Sequence, residues 1–269
     1  MKKVYSIDGT PIATWNFGSG PPLLLVHGTM ADHTVWIAMQ SELKRHYSVW
    51  VMDRRGRGHS GDSSFYALIN EAEDIAAVVD AIGGKVNVLG HSFGGLCALE
   101  AALLNANVGR LIIYEVPVPW GGYPWSDEFD SRMQSFIDAG EMEQALYMFA
   151  HDIVKTPSRE LSTTQSIPTQ PIKIAAVHTI PRESRLVDRY RLDSDRLGKL
   201  KIPVLLIVGS KSSSHWHISS KTLQKALPDS RISILHGQHH LAIQTAPDLL
   251  VEEIVRFLSA PFSRRSLTS

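Results

Sequence analysis

Features that would assign a chain to an oxidising compartment or to a membrane are missing from this sequence of 269 residues. It has a single cysteine, Cys97, which excludes an internal disulfide and suits a reducing compartment. A membrane-spanning helix needs about 18 consecutive apolar residues, and no such run is present. The basic start, MKKVYSIDGT, lacks the apolar stretch that characterises a signal peptide. We therefore expect a cytoplasmic protein that neither spans nor binds a membrane.

An excess of charge of either sign is also missing. The 27 Lys and Arg residues balance the 27 Asp and Glu residues, so no net field draws nucleic acid or an anionic surface to the protein. The length suits one large domain, or one domain with an insertion. Cys97 is surrounded in sequence by Leu and Ala, which predicts a buried structural thiol. We expect a small molecule rather than a macromolecule as the partner, with monomer and homodimer both open.

The most informative stretch is Val86–Gly95, VNVLGHSFGG. An apolar run ends at Gly90, and a helix-like segment begins directly after Ser92, so the order is strand, sharp turn and helix. Gly90 and Gly94 relieve crowding around a serine in so tight a turn. This context predicts that Ser92 is a nucleophile in a G-x-S-x-G elbow. The backbone N–H of Phe93 would lie at a helix N-terminus, where it favours an oxyanion.

Buried strands alternate with amphipathic helices along most of the chain. After a hairpin around Asp8-Gly9, strands are predicted at Leu23–Val26, Tyr47–Met52, Val86–Gly90, Arg110–Tyr114, Val204–Val208 and Arg231–Leu235. This alternation is typical of an α/β protein with a mainly parallel sheet and helices on both faces. Functional loops should then gather at the carboxyl ends of the strands.

The alternation stops between residues 117 and 197. This stretch retains apolar positions at helical spacing near Asp127–Ala139, Met142–Lys155 and Ile172–Thr179, which predicts an inserted helical cap rather than a linker. We therefore divide the chain into a first core segment at 1–116, a cap at 117–197, a second core segment at 198–260 and a polar tail at 261–269.

Four features together resemble the α/β-hydrolase superfamily: the Ser92 elbow, His27-Gly28, the loop after Asp53, and the stretch Gly237–His240. The resemblance covers nearly the whole chain. It implies an eight-stranded, mostly parallel sheet with a helical cap inserted after the sixth strand. It also implies that the catalytic residues follow one another as serine, acid and histidine.

The resemblance implies two further groups of the site. The second oxyanion donor would be the backbone N–H of Thr29, or that of Met30. The base would be a histidine after the last strand, and His240 fits this place best. His239 is the alternative, while His236 lies one turn too early.

The acid departs from the family pattern. The resemblance places an aspartate near Lys211 or Ser212, yet no Asp or Glu occurs between Gly209 and Pro228. Glu115, at the end of the sixth predicted strand, preserves the order of serine, acid and histidine, and some members of the superfamily carry their acid there. Glu115 is therefore either the catalytic acid or a structural residue at the cap entrance.

These residues predict a serine hydrolase that acts on a small ester, thioester or related acyl compound and needs no metal or organic cofactor. His240 would deprotonate Ser92 for attack on a carbonyl. Ser92 argues against the superfamily members that use an aspartate nucleophile. Acyl transfer, C–C hydrolysis and cofactor-free lyase chemistry reuse the same groups and remain open. A ligand-binding or signalling protein on a hydrolase scaffold is the alternative from another class, and the missing aspartate favours it.

Five aromatic residues fall near predicted loop ends or in the cap and could line an apolar substrate cleft or pack the cap. They are Trp36, Trp120, Tyr123, Trp125 and Trp216.

Other polar residues have plainer interpretations. His215 and His217 would lie on one side of an extended segment, but no carboxylate or cysteine accompanies them at ligand spacing, so we predict no metal there. Asp53 is expected to support its glycine-rich loop. His27 is expected to support the oxyanion turn, and His91 to pack beside the nucleophile.

Overall fold

A computed structural model describes residues 1–119, 126–156 and 170–260, which contain one eight-stranded sheet. The strands are β1 (Lys2–Tyr5), β2 (Pro11–Phe17), β3 (Pro22–Val26), β4 (Ser48–Met52), β5 (Val86–His91), β6 (Val108–Tyr114), β7 (Val204–Gly209) and β8 (Ser230–Leu235). Their order in the sheet is β1-β2-β4-β3-β5-β6-β7-β8. Only β2 runs against its neighbours, β1 and β4, and the other pairings are parallel. The predicted α/β class with an eight-stranded, mostly parallel sheet is confirmed.

The helices cover both faces of this sheet. They are α1 (Ile37–Leu43), α2 (Leu68–Ile82), α3 (Phe93–Leu104), α4 (Asp127–Asp138), α5 (Met142–Met148), α6 (Gln170–Ala176), α7 (Ile180–Arg189), α8 (Ser194–Leu197), α9 (Ser214–Ala226), α10 (Ala242–Thr245) and α11 (Pro247–Ser259). In the part of the chain that the structure describes, no helix is long and apolar enough to cross a membrane.

The continuous apolar run in β3 follows from its position in the middle of the sheet. Successive side chains of a strand point to opposite faces. Leu24 and Val26 pack into the apolar layer that contains α2 and α3, whereas Leu23 and Leu25 pack into the layer of α1 and α11. Both faces are buried, so every position of the strand is apolar.

Helices α4 to α8 all lie between β6 and β7, where the cap is predicted. Their apolar side chains, among them Phe129, Met148 and Val187, join the layer formed by α2 and α3. Helix α7 begins at Ile180-Pro181, and proline is tolerated in a first helical turn because its missing N–H has no partner there. The chain division at residues 117 and 197 stays a prediction, and the tail at 261–269 lies outside the described residues.

Two predictions about side-chain placement can be compared with the structure. Cys97 is fully buried in α3, as expected, and burial raises the pKa of its thiol well above the ordinary value. The extended segment predicted around Trp216 is wrong, because α9 already begins at Ser214. His215 and His217 are two positions apart on this helix, so their side chains project about 160° apart and do not share a face.

Candidate active site

Ser92 lies at the sharp turn between β5 and α3, with φ of 54° and ψ of −128°. A side chain at Gly90 would bring its Cβ within 2.6 Å of the Gly94 carbonyl oxygen. A Cβ at Gly94 would overlap the backbone oxygens of Val26 and His27 at the end of β3. Gly94 therefore packs directly against the end of β3, and Gly90 packs against the first turn of α3, approaches that only glycine permits.

The sheet brings Glu115 and His240 together although 125 residues separate them in sequence. Glu115 follows β6 and His240 follows β8, and both strands border β7. His240 Nδ1 lies 2.8 Å from Glu115 Oε2. The other carboxylate oxygen, Oε1, accepts the backbone N–H of Gly209 at 2.7 Å and the hydroxyl of Ser212. The ring of His239 instead accepts the backbone N–H of Leu241 on Nδ1 at 3.4 Å, so of these two histidines it is His240 whose ring contacts Glu115.

Burial dominates the electrostatics of this pair. It lowers the pKa of His240 below the ordinary imidazole value, which favours the neutral ring able to accept a proton. Burial also raises the pKa of Glu115, although the donors from Ser212 and Gly209 oppose this by stabilising the carboxylate.

Two rings hold the imidazole of His240 in place. The indole of Trp216 stacks on it with centroids 4.3 Å apart and planes 13° apart, and Trp216 is only 2% exposed. The ring of His91 lies 4.5 Å from it. Because a carbonyl can only accept a hydrogen bond, His91 Nε2 carries a proton, and this N–H donates a hydrogen bond to the His240 carbonyl at 3.1 Å. Burial and the neighbouring His240 hold the pKa of His91 well below its usual range, so His91 packs as a neutral ring.

The predicted oxyanion donors lie around the same serine. Phe93 is the first residue of α3, and the first N–H groups of a helix have no partner within it. Thr29 and Met30 line one cavity with Ser92. The turn before them is held by His27, whose Nδ1–H donates to the Gly28 carbonyl at 2.9 Å, while its Nε2 accepts the Arg54 N–H at 3.0 Å. Burial and the Arg54 guanidinium lower the pKa of His27 to about 3, which keeps this ring neutral.

Backbone strain concentrates at this site. Among the residues that the structure describes, the non-glycine positions with positive φ are Met30, Ser92, Glu115 and Lys155. A positive φ is unfavourable for residues with a side chain and persists only where the surroundings enforce it, commonly at functional sites. Three of these four positions belong to the predicted site.

A cavity opens between the core loops and the helices that follow β6. Its lining includes Thr29, Met30, Ser92 and His240 from the core, and Phe149 and Lys173 from the helices. Its volume is about 120 Å³, well above the roughly 10–15 Å³ that a single water needs. This suits a small substrate.

The aromatic residues predicted to line the cleft divide into three groups. Trp216 lines a smaller cavity beside Ser92 and His240. Trp36 does not contribute, because it is fully buried in the apolar layer of α1 and α11. Trp120, Tyr123 and Trp125 lie outside the described residues.

A cluster of buried charges that the sequence analysis did not find borders the oxyanion turn. Arg54 contacts Glu71 of α2 at 2.7 Å and Glu183 of α7 at 2.6 Å. Arg57 also pairs with both carboxylates. These four charged residues are at most 3% exposed. Glu183 is the member that connects the helices after β6 to the core.

Asp32, His33 and Asp53 place potential ligand atoms within 4.8 Å of one another, as a cation site would require. Each already has a partner within the chain. The carboxylate of Asp53 accepts hydrogen bonds from the backbone N–H of His33 at 2.9 Å and from the ring Nδ1 of His33 at 2.7 Å. It also accepts the backbone N–H of His59 at 2.8 Å. Asp32 accepts the backbone N–H of Thr34 at 2.8 Å. These contacts favour support of the loop, the role predicted for Asp53, over metal binding.

Comparison with known proteins decides the family. The sequence profile described as the Alpha/beta hydrolase family matches residues 23–253. The chain is an α/β hydrolase. Among solved structures, an alpha/beta hydrolase from Sphaerobacter thermophilus is 31% identical with a TM-score of 0.86, and the match covers 96% of this hydrolase and 100% of that chain.

The names of similar proteins also support the conclusion that this chain is an enzyme. A Cronobacter turicensis protein named "Putative carbamate hydrolase RutD" is 27% identical over 86% of this hydrolase and 88% of its own length. An esterase from Exiguobacterium antarcticum shares the fold with a TM-score of 0.81 at 23% identity, covering 96% of this chain and 99% of its own. This α/β hydrolase is thus a hydrolytic enzyme, and esterases are among the proteins that it is similar to.

Proposed function

We propose that this hydrolase cleaves small esters and related acyl compounds, including thioesters, through a covalent acyl-enzyme on Ser92. His240 is the general base and Glu115 is the acid that orients it. The observation that carries the proposal is the 2.8 Å contact between His240 Nδ1 and Glu115 Oε2, beside a cavity that both Ser92 and His240 line.

The reaction runs in two halves. Glu115 holds the proton of His240 on Nδ1, so that Nε2 accepts the Ser92 proton as Oγ attacks the substrate carbonyl. The protonated imidazole then gives this proton to the leaving alcohol or thiol, and the C–O or C–S bond breaks. Water enters, passes a proton to His240 and attacks the acyl carbonyl. The proton returns to Ser92 as the carboxylic acid departs.

The oxyanion formed in each half needs donors that are already in place. The backbone N–H groups of Phe93 and of Thr29, or of its neighbour Met30, serve this role in the proposal. One such donor is typically worth about 3–4 kcal/mol in the transition state.

The contacts of Glu115 support its catalytic assignment over a purely structural one. One oxygen is held by the backbone of Gly209 and by Ser212, which leaves the other for the imidazole of His240. Ser212 is one of the two positions after β7, with Lys211, near which the resemblance places the family's aspartate. In this hydrolase the side chain at position 212 is not a carboxylate. It is a hydroxyl that donates a hydrogen bond to the carboxylate of Glu115.

This relocation suggests a direct experiment. Glu115→Gln should lower kcat for 4-nitrophenyl pentanoate by about 10⁴-fold, as loss of a triad carboxylate does elsewhere. Adding Ser212→Asp to Glu115→Gln should recover at least about tenfold, because it returns a carboxylate to the usual position. Ser214→Asp in the same background is the matched control and should recover nothing, because Ser214 is exposed at the start of α9.

A fluorophosphonate probe, read by intact mass, tests the nucleophile separately. Wild type should be labelled, and Ser92→Ala should not. Folded wild-type protein that takes no label and cleaves neither 4-nitrophenyl esters nor an aryl carbamate would refute the proposal and favour a ligand-binding protein. Full activity in Glu115→Gln would refute the role of Glu115 alone.

A further inference from the structure

The cavity over Ser92 is lined by a lysine that has no partner among the residues that the structure describes. Lys173 of α6 lines this cavity, and no hydrogen bond or ion pair joins it to any residue in the described ranges 1–119, 126–156 and 170–260. Loss of water lowers the pKa of the ammonium, and no carboxylate among the described residues offsets this effect. An ammonium that is partly removed from water and left unpaired is unfavourable, and a bound anion would relieve it.

The acidic residues of the cavity do not fill this role. Asp32 accepts both the backbone N–H and the hydroxyl of Thr34. Glu143 is exposed to solvent on α5. Neither contributes to the pKa of Lys173, as a nearby carboxylate would.

Most of the remaining wall is apolar. Met30, Val35, Leu146 and Ile172 are among its residues, so the wall favours the carbon chain of a ligand. One unpaired cation in such a wall matches a single negative charge better than a phosphate dianion, which usually meets several donors.

We infer that Lys173 binds a carboxylate of the substrate, so that this hydrolase prefers esters or thioesters that carry a carboxylate beside the scissile bond. The inference rests on the proposed function, because it concerns the carboxylate end of a substrate whose ester or thioester group reacts at Ser92. Lys173 is in this reading a specificity residue that acts in binding and takes no part in proton transfer.

Two matched substrate pairs test the inference. The first compares 4-nitrophenyl hydrogen glutarate with 4-nitrophenyl pentanoate, which have acyl chains of equal length with and without the carboxylate. The second compares 4-acetoxybenzoate with phenyl acetate, which moves the carboxylate to the leaving group. The quantity measured is the ratio of kcat/KM for the charged ester to that for the neutral ester.

In wild type this ratio should exceed one for at least one pair. Lys173→Met should lower it by about tenfold or more, mainly through KM, as expected for loss of a charge-assisted hydrogen bond. Lys173→Arg should retain most of the ratio. Lys225→Met, which removes an exposed lysine of α9 outside the cavity, is the matched control and should leave it unchanged. If Lys173→Met does not fold, Lys173→Gln replaces it.

The outcomes separate the inference from the proposed function. Wild-type ratios below one for both pairs, or ratios unchanged in Lys173→Met and Lys173→Gln, would overturn the role of Lys173 while neutral-ester turnover still supports the serine hydrolase. Absence of turnover for all four esters, together with no fluorophosphonate label, would overturn the proposed function itself.

Discussion

Charged side chains are removed from water in two neighbouring places, completely in one and partly in the other. In the cluster of Arg54, Arg57, Glu71 and Glu183, each guanidinium meets two carboxylates. In the cavity over Ser92, the ammonium of Lys173 meets none among the described residues. Both places lie between the core and the helices after β6, so their location in the fold does not explain the contrast.

The difference separates groups that hold the fold together from groups kept available for a ligand. A buried charge that loses its partner is strongly destabilising, so each carboxylate of the cluster is needed for stability. Lys173 has no such ion pair, so its replacement should change the kinetics without lowering the free energy of unfolding. The following predictions would sharpen or break this contrast.

Ser92→Ala is expected to have the largest effect and to act on activity alone. The kcat for 4-nitrophenyl pentanoate should fall by about 10⁶-fold, as loss of a serine nucleophile does elsewhere. The free energy of unfolding should change by less than about 1 kcal/mol, because alanine keeps nearly the same volume and the same backbone conformation. Urea unfolding and a nitrophenol assay measure both. Residual activity above about one hundredth of wild type would contradict the nucleophile assignment.

Glu183→Ala should show the opposite behaviour. It leaves Arg54 and Arg57 with one carboxylate fewer in a buried site, and the free energy of unfolding should fall by about 3–5 kcal/mol. Glu252→Ala on α11 is the control, because its side chain is 70% exposed and its contact with Arg256 is a long 3.9 Å. It should change stability by less than about 0.5 kcal/mol. Equal effects of the two substitutions in urea unfolding would break the comparison.

Glu71 gives the cluster a predictable dependence on pH. Burial alone would raise its pKa, but Arg54 and Arg57 outweigh burial and lower this pKa to about 2, below the ordinary 4.5. The unfolded chain therefore binds more protons between these values, so the stability that Glu71 provides is present above pH 4.5 and is lost as pH falls toward 2.

The corresponding measurement compares wild type with Glu71→Gln, which does not titrate. The difference between their free energies of unfolding should shrink by on the order of 3 kcal/mol as pH falls through this range. A difference that stays constant from pH 6 to the lowest pH at which wild type remains folded would exclude the ion pairing of Glu71.

Trp216 should give the smallest effect. In the transition state His240 is protonated, and an indole face stabilises a stacked cation by about 0.5–2 kcal/mol. Trp216→Leu should therefore lower kcat by about tenfold with little change in KM, while Trp216→Phe should keep most of the rate because it keeps an aromatic face. If the two variants have the same kcat, the stacking does not contribute to catalysis.

The parts of the molecule that the sequence predicted are those with a local signal. The elbow at Ser92 needs small residues at fixed offsets, and such a motif is visible without knowledge of the fold. The strands could be found because β3 and its neighbours are buried on both faces and thus continuously apolar. The approach of Glu115 to His240 follows from chain order once the sheet is parallel, since each lies at the carboxyl end of its strand.

What was missed depends on packing between distant helices. Glu183 and Arg54 are 129 positions apart, and nothing near either residue indicates that they meet. Trp216 was placed on an extended segment, although α9 already begins at Ser214. Lys173 is one of many lysines in the sequence, and only the cavity distinguishes it.

The burial of Cys97 has a practical consequence for spectroscopy. A thiol that is fully inside α3, with its pKa raised, does not react with maleimides or methanethiosulfonates while the protein is folded. A second cysteine in place of Tyr147, which is 49% exposed at the cavity wall, would carry a fluorescent or spin label alone. Cys97 therefore does not have to be replaced before a label at position 147 is used to detect ligand binding in the cavity.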